Sequence, residues 1–276
     1  MANIGKLNTL TVMREAEQGL YLDGDNLGDI LIPKRYVPAG TEVDGEIEVF
    51  IYTDSEDRII ATTEKPYAMV GQFGAMKVVH VNKFGAFLDW GLMKDLFVPF
   101  REQKMKMLEG NTYVVFVYLD LDSDRIAGSA KLDQFLDETP PPFEQGEEIE
   151  IIIAQKTDLG YKVIINETHW GLIFKNEIFG NIRIGDKRKA YIKNLREDDK
   201  IDVSLQKEGY DRIDSVSKTI LQKIEDEGDF LALTDKSSPE EISATFGISK
   251  KAFKKAIGAL YKQRLIEIDA QGIRKK

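Results

Sequence analysis

The 276-residue sequence contains no cysteine. It therefore cannot form disulfide bonds or thiolate metal sites, and this absence favours a reducing compartment. Residues 1–10 lack the charged head and apolar run of a signal peptide, and the sequence has no run of about 18 apolar residues that would span a membrane. We therefore expect a soluble cytoplasmic protein without a membrane partner.

Histidine is also scarce, because His80 and His169 are the only imidazoles, and no nucleophile is identifiable near either. The acidic run at residues 120–124 is spaced like the start of a calcium loop. However, Arg125 stands where such a loop needs glycine, and Lys131 stands where it needs a bidentate glutamate. The sequence thus predicts a binding protein and not an enzyme, without a metal, a cofactor or a small-molecule substrate.

Basic residues are outnumbered, and the net charge is −9. Residues 1–212 carry 26 Lys or Arg against 37 Asp or Glu, whereas residues 250–276 carry nine basic residues against two acidic ones. A smaller basic patch at residues 183–200 has seven basic and four acidic residues. An acidic body disfavours indiscriminate electrostatic binding of nucleic acid, so any contact must be local and must include stacking.

One β-rich unit occurs three times along the chain. Its closing strands begin with Asp-Arg-Ile or Asp-Lys-Ile and lie at residues 57–62, 124–129 and 199–204. An alternating strand precedes each of them, so a hairpin with an acidic turn is repeated three times. A period of about 65 residues predicts small modules, and a small barrel can fold at that size because it closes its own sheet.

Prolines mark the boundaries between these modules. Pro66 and the three prolines at residues 140–142 interrupt strands, and the triple proline is a stiff extended spacer. We interpret the triple proline as a linker and not as a ligand for a partner protein. The sequence predicts three β domains followed by a helical one, at residues 1–65, 70–138, 144–207 and 211–276.

The sharpest motif lies in the second repeat, where Phe-Gly-Ala-Phe at residues 84–87 separates two alternating strands and precedes the apolar stretch at residues 96–99. This motif resembles the S1 RNA-binding domain, a five-stranded barrel of the oligonucleotide-binding (OB) class. The resemblance implies a binding face on the second and third strands. Gly85 permits a sharp bend at the barrel corner, and Ala86 is small enough to face a crowded interior.

On this face, Phe84 and Phe87 are predicted to point outward, where bases would stack on them. Lys77, His80 and Lys83 are predicted to contact phosphates. The alternative is that both phenylalanines belong to the barrel core.

The first and third repeats depart from the motif. In the first, Tyr21 is the one matching aromatic residue and Arg14 is a candidate phosphate contact. In the third, Lys162 occupies the outer position, and Tyr161 stands where a small interior residue belongs. The histidine that usually follows the third strand of an S1 domain is missing from the second and third repeats. The first and third barrels are predicted to bind weakly or not at all, although linked weak sites still raise affinity through effective concentration.

The C-terminal part has the pattern of a helix-turn-helix module. Ile213, Val216, Ile220 and Ile224 recur at helical spacing and predict a helix that ends near Gly228. A capping box at residues 238–241 predicts a second, short helix that stops at Gly247, and Ser249 is the expected cap of a third. Residues 266–273 resemble the wing of a winged helix.

The predicted third helix is basic. Four lysines, Lys250, Lys251, Lys254 and Lys255, fall opposite its apolar stripe. Such a helix usually enters a groove or contacts phosphates. The alternative is a solvated lysine face on a module that docks protein.

Three S1-like barrels followed by this winged helix resemble the conserved virulence factor B family of bacterial RNA-binding proteins. The segment that carries the resemblance in the last domain is Phe-Lys-Lys-Ala-Ile-Gly-Ala-Leu-Tyr-Lys at residues 253–262. The expected fold is mainly β, with three five-stranded OB-fold barrels and an α+β C-terminal module. The resemblance implies an RNA-binding regulator of gene expression, including virulence genes, in the cytoplasm of Gram-positive bacteria.

Two further functions stay open from the sequence: a double-stranded DNA regulator acting through the winged helix, and an adaptor bound to the ribosome or to RNA polymerase. The preferred function is single-stranded RNA binding by the barrels, assisted by the winged helix. The predicted RNA-binding residues are Arg14, Tyr21, Lys77, His80, Lys83, Phe84, Phe87, Lys162, Lys250, Lys251, Lys254 and Lys255.

Overall fold

The computed structural model describes residues 1–175, 178, 181–205, 215–269 and 271–276. The chain divides into two compact units, Met1–Leu205 and Gln206–Lys276. Ile213, the first apolar residue of the predicted helical pattern, lies outside the described residues.

The first unit contains three closed five-stranded barrels, which confirms the predicted fold class. The strands of barrel 1 are β1 Leu7–Ala16, β2 Gly19–Asp23, β3 Asp29–Pro33, β4 Glu46–Thr53 and β5 Ile59–Thr62. Those of barrel 2 are β6 Phe73–Val81, β7 Gly85–Leu88, β8 Leu96–Pro99, β9 Thr112–Asp120 and β10 Arg125–Ser129. Those of barrel 3 are β11 Glu148–Lys156, β12 Gly160–Ile165, β13 His169–Phe174, β14 Lys187–Leu195 and β15 Ile201–Ser204.

All three barrels have the same topology. The first strand pairs with the second and the fourth, the second with the third, and the fourth with the fifth, all antiparallel. The third and fifth strands close the barrel as a parallel pair. The first strand of each barrel also shifts register at one bulge, between Val12 and Arg14, between Val78 and His80, and between Ile153 and Gln155. A bulge bends its strand, as a small closed barrel requires.

A glycine begins the second strand of every barrel because no side chain fits there. A Cβ atom on Gly19, Gly85 or Gly160 would lie 2.0, 2.4 or 1.9 Å from a carbonyl oxygen of the third strand.

The sharp hairpin turn before the fifth strand is equally regular. Its aspartate is in the left-handed region in each barrel, with φ of 62° at Asp57, 54° at Asp124 and 57° at Asp199, a conformation that aspartate tolerates better than most residues.

The apolar cores of the barrels are continuous with their neighbours. Phe50 of barrel 1 makes an edge contact with Trp90, with ring centres 5.6 Å apart, and both belong to the core cluster of barrel 2. The Trp90 indole nitrogen donates to the Ala68 carbonyl oxygen at 2.7 Å. Barrels 2 and 3 share a second cluster that contains Phe73 and Ile164. Barrel 2 therefore contacts both barrel 1 and barrel 3 through buried side chains as well as through linkers.

The second unit contains α1 Ser215–Asp226, α2 Pro239–Phe246, α3 Lys250–Lys262 and a sheet of β16 Phe230–Leu231, β17 Ile266–Ile268 and β18 Ile273–Lys275. The sheet order is β16-β18-β17, and the β17–β18 hairpin forms the predicted wing. The capping box is present, because the Glu241 amide donates to the Ser238 hydroxyl at 3.1 Å and the Ser238 amide donates to the Glu241 carboxylate at 2.8 Å. No helix within the described residues is long and apolar enough to cross a membrane.

Candidate nucleic-acid interface

An aromatic row crosses three neighbouring strands of barrel 2. His80 on β6 pairs in register with Phe87 on β7, which pairs with Phe97 on β8. The His80 and Phe87 rings are stacked with centres 6.0 Å apart, and the Phe87 and Phe97 rings are 5.0 Å apart. Phe87 and Phe97 are half-buried, whereas His80 is exposed. The row is thus a partly exposed aromatic surface on the outside of the barrel, above its buried core.

Phe84 extends this surface from the turn between β6 and β7. Its side chain is exposed, with 61% of its surface accessible, and the ammonium of Lys83 lies 5.0 Å from its ring centre. The Asn82 side-chain oxygen accepts hydrogen bonds from the amides of Phe84 and Gly85, at 2.8 and 3.2 Å. This local turn fixes the backbone of an exposed aromatic residue that no core packing holds in place.

A groove of about 910 Å³ runs along this face and is lined by Phe84, Phe87 and Phe97. Its charged lining consists of the cations Lys94, Arg101 and Arg125 and the acids Asp57, Asp95 and Asp120. Burial raises the pKa of the Asp95 carboxyl and lowers the pKa of the Lys94 ammonium. The groove therefore combines an aromatic lining with equal numbers of cationic and acidic groups, which suits stacking of bases more than electrostatic capture.

The other residues predicted for barrel 2 lie at the edge of this face. Lys77 and Lys83 are exposed, and neither they nor His80 belong to the lining of the groove. His80 Nδ1 lies 3.4 Å from the Glu109 carboxylate. The structure thus brings Phe84 and Phe87 together in the groove and leaves the three proposed phosphate contacts beside it.

Barrel 1 has a groove at the equivalent position, with a volume of about 650 Å³. Arg14, Tyr21 and Leu31 occupy the strand positions that His80, Phe87 and Phe97 occupy in barrel 2. The Arg14 guanidinium lies over the Tyr21 ring, 3.7 Å from its centre, and is 3.3 Å from the Asp29 carboxylate.

Barrel 3 differs most. Lys162 occupies the position of Phe87, is half-buried, and has an ammonium 4.0 Å from the centre of the Trp170 ring. Burial lowers the pKa of Lys162. The Asp133 carboxylate lies 3.7 Å from Lys162 and accepts hydrogen bonds from the Trp170 indole at 2.9 Å and from Lys104 at 3.0 Å.

The barrel 3 groove, of about 720 Å³, is also the most acidic of the three. Its lining includes three cations and six carboxylates. Negative potential at a groove opposes a phosphate backbone, so the surroundings of Lys162 are less favourable for RNA than those of Tyr21 in barrel 1 or Phe87 in barrel 2.

Several groove residues were not predicted from the sequence. Phe97 pairs with Phe87 in the structure. It belongs to the apolar stretch at residues 96–99, and that stretch is the signal from which it could have been predicted. Three cations of the groove come from separate parts of barrel 2. Lys94 lies in the loop between β7 and β8, Arg101 lies in a short 3-10 helix after β8, and Arg125 begins β10. Only the barrel topology brings these three side chains to one groove, so no local pattern marks them.

The four lysines predicted on α3 differ in their contacts. Lys250 donates to the Lys236 carbonyl oxygen at 3.3 Å, and Lys254 lies 3.6 Å from the Asp235 carboxylate. Lys251 and Lys255 are exposed, and within the described residues neither has an ion pair. Phe253, Ala256, Ile257 and Leu260 on the other side are buried. Lys254 is exposed as well, but it is paired with Asp235, so Lys251 and Lys255 are the exposed lysines of the four without an ion pair among the described residues.

Two family models match the chain. The S1 domain model matches residues 4–64 and 70–129, and the model described as the CvfB-like winged helix domain matches residues 218–274. The conserved virulence factor B of Staphylococcus saprophyticus is 25% identical to this chain over 287 residues, which cover 97% of this chain and 92% of that protein. The chain thus carries S1 domains and a CvfB-like winged helix domain, and it is similar over most of its length to proteins named conserved virulence factor B.

Other similar proteins include the conserved virulence factor B of Staphylococcus aureus, 26% identical over 246 residues, or 83% of this chain and 78% of that protein. A solved structure from Streptococcus pneumoniae, described as a multidomain protein with nucleic acid binding domains, is 27% identical, covers 99% of this chain and 98% of its own, and has a TM-score of 0.46.

These matches confirm the resemblance of residues 84–87 to an S1 domain and that of residues 253–262 to the winged helix of conserved virulence factor B. The chain is a multidomain nucleic-acid-binding protein with S1 domains followed by a winged helix.

Proposed function

We propose that this protein binds single-stranded RNA on the aromatic face of barrel 2. Barrel 1 and the winged helix add contacts, and the protein acts by binding and not by catalysis. The observation that carries the proposal is the surface formed by Phe84, Phe87 and Phe97. Single-stranded nucleic acids present unstacked bases, and each base that stacks on an aromatic side chain contributes roughly 1–3 kcal/mol. A duplex offers no such bases.

The charge distribution supports the same preference. Single-strand binding that depends on stacking needs few cations, and the barrel 2 groove has as many acids as cations. Duplex binding depends chiefly on neutralised phosphates and falls steeply with salt. We therefore propose a role in transcriptional or post-transcriptional regulation in the bacterial cytoplasm, through RNA.

A second candidate is binding of double-stranded DNA by the winged helix. Lys251 and Lys255 favour it, because both are exposed on one side of α3, and the third helix of such a module commonly contacts a DNA groove. The acidic residues elsewhere in the chain do not oppose a contact that is confined to this helix.

The test is fluorescence anisotropy of the full-length chain with single-stranded RNA and with duplex DNA over a series of salt concentrations. We expect Phe84→Ala to weaken RNA binding by about 5-fold or more, corresponding to at least ~1 kcal/mol of stacking free energy. Tyr67→Ala is the matched control, because Tyr67 is an aromatic residue with 56% of its surface exposed that lines neither the barrel 1 nor the barrel 2 groove.

A chain with Lys250, Lys251, Lys254 and Lys255 all changed to Gln separates the two candidates. Loss of duplex binding in this variant, together with unchanged binding by Phe84→Ala, would move the function to the winged helix. Absence of measurable binding to either nucleic acid would favour the third possibility, an adaptor that docks on the ribosome or on RNA polymerase.

A further inference from the structure

The grooves of barrels 1 and 2 meet at one segment of the chain. Ser55, Met93 and Lys94 line both of them. Met93 and Lys94 belong to the loop between β7 and β8 of barrel 2, and Ser55 belongs to the turn between β4 and β5 of barrel 1. The two faces are therefore adjacent and share a border, instead of opening on opposite sides of the unit.

Several contacts fix this border. The Lys94 ammonium donates to the Asp54 carbonyl oxygen at 2.7 Å and to the Thr53 hydroxyl at 3.3 Å. An Arg35 nitrogen lies 2.8 Å from the Met93 sulfur. These contacts join the loop of barrel 2 to the surface of barrel 1.

An ion pair between Arg125 and Asp57 adds a further link between the two barrels. Beneath the border, the buried edge contact between Phe50 and Trp90 packs the two barrels together. A border held by buried rings and by polar contacts keeps the two grooves at a constant separation, which a flexible linker would not do.

Charge also distinguishes these two grooves from the third. Each has three cations and three acids in its lining, and Lys94 is common to both. The barrel 3 groove has six acids against three cations. A phosphate backbone that crosses from barrel 2 to barrel 1 passes an ammonium group at the border, whereas one that continues onto barrel 3 meets an excess of carboxylates.

Both grooves also offer stacking surfaces. Phe84, Phe87 and Phe97 line the barrel 2 groove, and Tyr21 lines the barrel 1 groove. The Arg14 guanidinium lies beside this lining, over the Tyr21 ring. RNA bases stack on guanidinium planes as well as on aromatic rings. A stacked Arg14–Tyr21 pair therefore presents the outer face of the guanidinium to a base.

We propose that one strand of single-stranded RNA lies continuously across barrels 2 and 1, passing over Met93 and Lys94. The inference rests on the proposed function and extends it from a single site to a composite site. Because one barrel of this class accommodates about 4–16 nucleotides, full affinity requires an oligonucleotide longer than the one that saturates barrel 2 alone.

The test measures binding of a graded series of oligouridylates, from about 4 to about 32 nucleotides, or twice the largest site of one such barrel, to the full-length chain and to two variants. We expect Phe84→Ala to weaken binding at every length. We expect Tyr21→Ala to leave the shortest oligonucleotides unaffected and to weaken the longer ones by about 5-fold or more, from the length at which a strand that occupies barrel 2 reaches barrel 1.

Tyr21→Phe is the matched control, because it keeps the ring and should bind all lengths as the unchanged protein does. The continuous path would be overturned if Tyr21→Ala had no effect on binding at any length. It would also be overturned if Tyr21→Ala weakened binding equally at every length, because that result indicates two independent sites. If Phe84→Ala has no effect at any length, the proposed function itself fails, and this result is distinct from either of the others.

Discussion

The Arg14 guanidinium lies 3.7 Å from the centre of the Tyr21 ring, and the two residues pair in register across β1 and β2. His80 stacks on Phe87 at the same two strand positions of barrel 2. Both barrels therefore place a planar, nitrogen-containing side chain against an aromatic ring on the same face. The two sequences differ at both positions, yet the physical arrangement is preserved.

Arg14→Lys tests whether planarity matters in this pair. Lysine keeps the positive charge but lacks the flat guanidinium that stacks on the ring and beneath a base. We expect longer oligonucleotides to bind about 2- to 5-fold more weakly, corresponding to roughly 0.5–1 kcal/mol for an exposed cation–π contact. Arg14→Gln removes charge and planarity together. Equal affinity of Arg14→Lys and the unchanged protein would show that only the charge contributes.

Gly160→Ala should destabilise barrel 3, because the added Cβ would lie 1.9 Å from the Ile173 carbonyl oxygen and 2.9 Å from the Phe174 Cα atom. Neither backbone atom can move without breaking the β12–β13 ladder. We expect the free energy of unfolding, measured by urea denaturation, to fall by ~1–3 kcal/mol or more. Gly258→Ala is the control, since a Cβ at Gly258 meets nothing within 4 Å.

The control has its own expected sign. Gly258 lies inside α3, where glycine costs roughly 0.5–1 kcal/mol relative to alanine. Gly258→Ala should therefore raise the stability of the second unit. A similar loss of stability in both variants would contradict the steric explanation for the glycine of the second strand.

The barrels were predictable because their signals are local and repeated. The left-handed aspartates before the fifth strands and the glycines that begin the second strands recur at matching positions, so three hairpins could be recognised from the sequence. The capping box at Ser238 and Glu241 was likewise predictable, since both hydrogen bonds lie within four residues.

The grooves were predictable only in part, because they depend on contacts between residues far apart in the sequence. Asp133 contacts Lys104 and Lys162 on two different barrels. Lys94 contacts barrel 1 through a carbonyl oxygen, 40 residues away along the chain. Nothing in the sequence near Lys162 indicates that a carboxylate from another segment lies beside it.

The lysines of α3 should affect the salt dependence of binding unequally. We expect a Lys251→Gln, Lys255→Gln double variant to make the plot of log affinity against log salt shallower by about 0.7 for each phosphate of a single strand that the lysines no longer neutralise. Lys254→Gln should change this slope less, because Lys254 already lies 3.6 Å from Asp235. Identical slopes for the double variant and the unchanged protein would exclude these two lysines from the RNA interface.

Asp133 should stabilise the junction of barrels 2 and 3 in a pH-dependent way. The hydrogen bond from Lys104 is the main cause that lowers the pKa of this carboxyl below its ordinary value of 3.8, and the charge of Lys162 and the Trp170 indole lower it further. Because the folded-state pKa is the lower one, the stabilisation is complete above the unfolded-state value and is lost as the pH falls through the folded-state value.

Asp133→Asn keeps the shape of the side chain and one acceptor oxygen but removes the charge. At about pH 7 we expect a lower melting temperature than for the unchanged protein, by an amount that corresponds to at most ~1 kcal/mol, since the carboxylate is half exposed and screened by water. In thermal melts at successively lower pH, this difference should shrink below 3.8 and vanish once the folded-state carboxyl is protonated. Raising the salt concentration should shrink it as well. A difference that persists undiminished in acid would show that Asp133 acts through the shape of its hydrogen bonds and not through its charge.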